Sequence, residues 1–215
     1  MFSTIRTIIC VILFIIALPI FKKYKVFNER KKSIVWTLTL MIAVPTIIGF
    51  VPFENIFVTF DSPENVYTYI NGKEDIKLTI EGNNSDLVIG YKDDIYTYLI
   101  VPKTSKGWKI DTIPNNRKII RDASNGNIIH VDRYKNTNDY YITVYKMSGK
   151  ALDITDSSNS KFYSLEKEAL STETKKFITY YAYIEDFDSN YWISIDNKKI
   201  NLSEKWGNNY GNMGN

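Results

Sequence analysis

Tyrosines are the residues of this chain best placed to hold a ligand. Tyr96 and Tyr98 stand two apart in a run that alternates like a strand, and Tyr181 and Tyr183 do the same. Side chains at i and i+2 of a strand leave on one face, so each pair sets two phenol rings side by side. Next to the Asn and Asp residues around them, such a face can stack on a sugar ring or a peptide and hold it through its hydroxyls. The competing role is packing, since tyrosine forms strands well and suits half-buried positions. Tyr96, Tyr98, Tyr181 and Tyr183 are the candidate ligand-binding residues, and no catalytic, cofactor-binding or metal-binding residue is assigned.

Other chemistries find less support. His130 is the single histidine, and no serine motif such as G-x-S-x-G accompanies it. With one histidine and one cysteine, a zinc site of familiar composition cannot be assembled. Asp186-Phe187-Asp188-Ser189-Asn190 starts like a calcium loop, but Tyr191 stands where that loop needs glycine and Asn197 where it needs a bidentate carboxylate. Asp93/Asp94 and Glu185/Asp186 are neighbours, so on a strand they point to opposite faces and in a turn they meet water. A glycosidase-type pair drawn from distant strands leaves no local signature.

The elements that would position these residues begin with an apolar hairpin over residues 1–53. Residues 34–53 carry no charge over 20 positions, and residues 7–21 none over 15. At about 1.5 Å per residue the longer run makes a helix of roughly 30 Å, the thickness of a hydrocarbon core. The shorter run makes about 22 Å and is extended by Ile5 and the stem of Arg6, whose head can snorkel. Pro19 and Pro45 fall inside these runs, and membrane helices tolerate prolines better than soluble ones do. The first run is a poor signal peptide, because its basic residues mostly follow the apolar stretch and no small-x-small site comes after it. The joining loop, 22–33, holds six Lys/Arg against Glu29 alone. Short basic loops stay in the cytoplasm. The expected arrangement is a two-span membrane protein with the loop inside and both the N-terminus and the C-terminal domain outside.

Charge divides accordingly. Of 27 basic and 24 acidic residues, seven and one lie within residues 1–53, so the remainder is net −3. The positive excess belongs to the loop, and nucleic acid is excluded as a partner, since backbone binding needs a concentrated basic face. Cys10 is the only cysteine, so the chain forms no internal disulfide.

Residues 54–204 read as one β-rich domain. Strands are expected over 56–60, 76–80, 87–91, 95–101 and 108–110, then over 118–121, 127–134, 139–146, 161–165, 177–184, 191–195 and 199–202. Ser62-Pro63-Glu64 is the signature of a helix start, with a cap, a first-turn proline and an acid at the positive end of the dipole. Asn71-Gly72 ends that helix. Residues 153–160 read as a polar loop, 166–175 as either helix or loop, and 205–215 as a disordered tail rich in Gly and Asn.

The order Phe60-Asp61-Ser62-Pro63-Glu64, Gly82-Asn83-Asn84-Ser85-Asp86, Tyr96-Thr97-Tyr98 and Gly107-Trp108-Lys109-Ile110 resembles uncharacterised two-span membrane-anchored proteins of Bacillus- and Clostridium-type bacteria. The resemblance covers residues 56–110 and implies a Gram-positive cell-surface domain; it brings no catalytic residues. The expected fold is therefore mainly β: two N-terminal transmembrane helices, then an antiparallel meander or sandwich-like domain with one short helix. The expected function is a surface module, more a binding protein than an enzyme. It needs no cofactor, and its partners are the lipid bilayer and an envelope glycan or membrane protein. The alternatives are an extracytoplasmic hydrolase with carboxylates from separate strands, and a small immunity or stress protein acting through its hairpin.

Overall fold

Both N-terminal apolar runs fold as helices, α1 (Phe2–Lys23) and α2 (Arg30–Phe50). The computed structural model describes residues 2–23, 30–111, 116–122, 127–147, 151–167 and 177–202. Part of the basic loop and the whole expected tail, 205–215, lie outside these residues. Counting only the described residues, no helix is long and apolar enough to cross a membrane. The two expected spans therefore stand here as helices and nothing more. Within α2, the Thr39 and Thr46 hydroxyls donate to the carbonyls four residues back, at 2.9 and 2.7 Å, which satisfies them inside the helix. The start of α1 meets the end of α2. Arg6 donates to the Ile48 and Gly49 carbonyls at 2.7 and 2.8 Å, occupying groups that the helix end leaves unpaired.

The expected strand over 56–60 is not formed. Residues 54–57 instead make a single helical turn, α3 (Glu54–Phe57), closed by Val58 N–H to the Glu54 carbonyl at 2.8 Å. The reason lies in Asn55. Its side chain pairs with both backbone groups of Ile110, at 2.6 and 2.8 Å, and so takes the place of a strand partner. Only Phe60 bridges to Trp108. The expected short helix is present as α4 (Pro63–Asn71). Ser62 Oγ accepts from Asn65 N–H at 3.2 Å, and Gly72 leaves with φ +89°.

Twelve strands follow in the described residues: β1 (Asp75–Glu81), β2 (Ser85–Lys92), β3 (Ile95–Thr104), β4 (Gly107–Trp108), β5 (Asn116–Asp122), β6 (Asn127–Tyr134), β7 (Asp139–Met147), β8 (Ile154–Asp156), β9 (Tyr163–Lys167), β10 (Phe177–Glu185), β11 (Trp192–Ile195) and β12 (Lys198–Asn201). Every strand pair is antiparallel. They form three sheets, ordered β1-β2-β3-β4, β5-β6-β7-β10-β9 and β12-β11-β8. The loop expected over 153–160 contains β8, a three-residue strand that pairs with β11; it is too short to show a period. The β2–β3 and β11–β12 turns place Asp93/Asp94 and Asp196/Asn197 at positive φ, the two-residue geometry that matches strand twist.

The layers stack as helix, sheet, sheet, sheet. Val66 and Tyr67 of α4 pack on Val88 and Val101 of the first sheet. That sheet's other face, with Leu87, Ile89 and Ile100, meets Tyr141 and Tyr181 of the second. The far face of the second sheet, with Ile129, Ile142 and Ile178, meets Ile193, Ile195 and Leu202 on the third-sheet side. Having both faces covered, β2 is buried from Ser85 through Gly90; Leu87-Val88-Ile89 supplies the continuous apolar run that such a strand requires, and Ser85 and Asp86 are buried with hydrogen-bond partners.

Gly90 is the contact point of α4. A Cβ there would lie 2.6 Å from Cζ of Tyr67, whose ring is fully buried and whose hydroxyl is held by Glu74 and Thr97. Gly90→Ala is expected to destabilise the protein by about 1–3 kcal/mol through overpacking, read as a lower denaturation midpoint in urea. Unchanged stability would mean that α4 slides freely on the sheet.

Candidate functional site

The four tyrosines singled out by sequence are brought together, but in the seam between the first and second sheets and not on an open face. On β10, Tyr181 and Tyr183 point toward the first sheet, with Tyr141 of β7 opposite Tyr183 and Tyr163 of β9 opposite Tyr181. Tyr181 is only 4% exposed, and burial pushes its hydroxyl pKa up to about 12. Tyr96 donates to the Glu166 carbonyl at 2.8 Å, linking β3 to β9. Tyr98 keeps 43% of its surface exposed, yet its hydroxyl reaches inward to Asp132 Oδ2 at 3.2 Å. Burial and then the Asp132 charge raise its pKa. Tyr183 is half-buried. Its hydroxyl donates to Asp139 Oδ1 at 3.1 Å and accepts from Asn83 N–H at 3.3 Å. Its pKa also rises, through burial and then the Asp139 charge.

Asp139 anchors this seam. It is fully buried at the start of β7. Besides Tyr183 it accepts from Asn84 N–H at 2.8 Å, Asn84 Nδ2 at 3.2 Å and Ser85 Oγ at 2.8 Å. The β1–β2 turn is thereby docked onto the second sheet. Asp86, next along β2, points the other way and accepts from Gly82 N–H at 3.1 Å and from Trp108 Nε1. Burial pushes its carboxyl pKa up against those donors. The two buried carboxylates are thus directed to opposite faces of the first sheet and do not converge.

Where the two sheets end side by side, a cleft of about 450 Å³ opens. Thr79, Ile80 and Glu81 of β1 line one wall; Lys161 and Tyr163 line the other; Tyr183 completes it. Among the described residues β1 and β9 are the outermost strands of their sheets, so each wall carries backbone groups that its own ladder does not use. The Lys161 ammonium lies 4.6 Å from the centre of the Tyr163 ring, a cation–π contact. The cleft therefore combines an anion, a cation, two phenol rings and strand edges. That set can hold an extended, amide-bearing chain. The described lining includes one carboxylate, Glu81, whereas acid–base hydrolysis of a glycoside uses a pair.

Of the sequence candidates, Tyr183 reaches the cleft. Tyr163, Thr79 and Glu81 fall on strands legible in the sequence, while Lys161, expected within the 161–165 strand, precedes β9; no local pattern reveals that β1 and β9 end beside each other. His130 packs edge-on against Tyr145 with ring centres 5.6 Å apart. In the stretch that starts like a calcium loop, Asp188 accepts from Ser189 Oγ and Asn190 N–H, both at 3.1 Å, so it shapes its own turn. Among the described residues no group of three or more His, Cys, Asp or Glu could hold a metal ion. No family model, curated protein or solved structure matches this chain.

Asp139→Ala is expected to cost about 3–5 kcal/mol, since it orphans several buried donors at once, while Tyr183→Phe costs about 1 kcal/mol. Chemical denaturation of the two variants checks the ranking, and equal losses would refute the anchoring role of Asp139. The seam also sets an alkaline limit. Tyr181 ionises near 10 when unfolded and at about 12 when folded. Its contribution is complete below pH ~10 and is lost as pH rises toward the folded value. Tyrosinate absorbance for the buried ring should appear together with loss of the near-ultraviolet dichroism. Ionisation of every tyrosine near pH 10 with the fold intact would contradict this.

Proposed function

We propose that this chain is a membrane-anchored cell-surface module whose β domain binds an extended peptide segment of an envelope or membrane protein in the cleft between β1 and β9. The observation that carries the binding half is the cleft itself. Two sheet edges flank it, and strand edges recognise extended main chain by adding a strand, with flanking side chains supplying selectivity. Glu81 and Lys161 on opposing walls favour a segment carrying both charges.

Anchoring is supported by the distribution of apolar side chains on the two helices. On α1, Ile8, Val11, Ile12, Leu13, Ile15 and Ile16 are all exposed, and on α2 so are Val35, Trp36, Leu38, Met41 and Ile42. Consecutive exposed positions run around the helix, whereas a helix on a soluble core shows one apolar stripe. With 22 and 21 residues, the helices are about 33 and 32 Å long, comparable with the roughly 30 Å of a hydrocarbon core. The basic loop then lies in the cytoplasm and the β domain outside.

Two measurements test the reading. A photoreactive residue at Lys161 or Glu81 in the full chain, activated on intact cells, is expected to capture a protein-containing partner. Lys161→Glu should lower binding about tenfold, or ~1.4 kcal/mol. Capture of glycan alone, or of nothing at either position, would refute peptide binding. Release of the full chain from membranes by alkaline carbonate without detergent would refute the anchor.

A further inference from the structure

α3 shows an inverted surface. Its one charged residue, Glu54, is 8% exposed and faces inward, paired with Arg6 through two bonds at 3.0 and 3.1 Å. Its apolar residues face outward. Ile56 is 71% exposed and Phe57 85%, flanked by Val51 at 41% and Val58 at 42%. Phe57 is the most exposed large apolar side chain among those described. A turn meant for water would show the opposite choice.

The turn is also held from behind. Asn55 is bound to both backbone groups of Ile110. Lys109 Nζ donates to the carbonyls of Asn55 and Val58 at 2.8 and 2.7 Å. These bonds tie α3 to the β domain and leave Ile56 and Phe57 turned away from it.

We infer that α3 is seated in the headgroup–acyl boundary of the membrane that holds the helices, with Ile56 and Phe57 inserted. This rests on the anchor reading above. Three residues separate the end of α2 from the start of α3, so the turn lies at most about 14 Å from the helix end. The polar layer of a bilayer is itself roughly 5–7 Å deep on each side. Val51 N–H donates to the Ile47 carbonyl at 2.9 Å and Phe53 N–H to that of Val51 at 3.0 Å, so the link is coiled, falls short of that limit and keeps the patch near the layer. The seat adds a second attachment behind the span and fixes how the β domain stands on the surface.

The test uses the full chain in vesicles of phosphatidylcholine with phosphatidylglycerol. In a Cys10→Ser background, single nitroxide labels are placed by Phe57→Cys, Met41→Cys and Asp94→Cys. Relaxation by oxygen and by a water-soluble nickel chelate then reads depth. The expected order is Met41 deep in lipid, Phe57 shallow but shielded from nickel and open to oxygen, and Asp94 in water. Phe57 as open to nickel as Asp94, with Met41 in lipid, overturns this inference while the anchor stands. Phe57 shielded from both reagents points to a protein partner or a second copy and also overturns it. All three positions in water overturn the anchor as well.

Discussion

A fully buried carboxylate governs how the two larger sheets meet. Asp139 begins β7, and its donors come from the β1–β2 turn, from Ser85 and from Tyr183. A buried charge is tolerable only when it is well satisfied. The sheets can therefore pack only where that set of donors converges, which fixes their offset as well as their contact. The apolar residues around it, Leu87, Ile89 and Ile100 against Tyr141 and Tyr181, supply attraction without direction. The carboxylate supplies direction. The position of the cleft follows from that offset, because Tyr183 binds Asp139 and lines the cleft with the same side chain.

Tyrosine suits this seam for a reason that leucine could not meet. A seam between two sheets has polar edges at its ends and along its open side. Tyr96, Tyr98 and Tyr183 bury much of their rings and send hydroxyls to Glu166, Asp132 and Asp139. Each hydroxyl bond crosses from one element to another. The aromatic pairs that look like a ligand platform in the sequence are largely sheet-to-sheet connectors. Their period of two is the same in either role, so periodicity alone cannot distinguish an open face from a seam.

The sequence carried local order well and sheet association poorly. Most strands announce themselves by alternation, and α4 by its serine cap and proline. α3 was hidden because Ile56-Phe57-Val58 has strand composition, while Asn55, a single side chain, decides the outcome through Ile110. β8 was hidden by its length and its polar neighbours. The order β7-β10-β9 places the later strand between earlier ones. No propensity encodes that order; it follows from which faces must be covered. The cleft residues of β1 and Tyr163 of β9 were legible as strand, whereas Lys161, expected at the start of the 161–165 strand, stands just before β9; their convergence depends on Asp139 and its partners across more than 50 positions of sequence.

The edges themselves argue for a ligand at the cleft. An exposed edge strand is a liability that proteins blunt with charge, bulges and shortness. β1 is blunted over its first half only. There the register shifts between Ile76 and Leu78, and Lys77 pairs with Asp75. Its second half, Thr79 through Glu81, continues in regular register and is the half that lines the cleft. β9 is kept to five residues, and Lys161 stands just before it. Protection thus stops where the cleft begins. A second copy of the chain would need a long regular edge to pair with, and neither strand offers one. A short extended segment needs only the few residues that are left open.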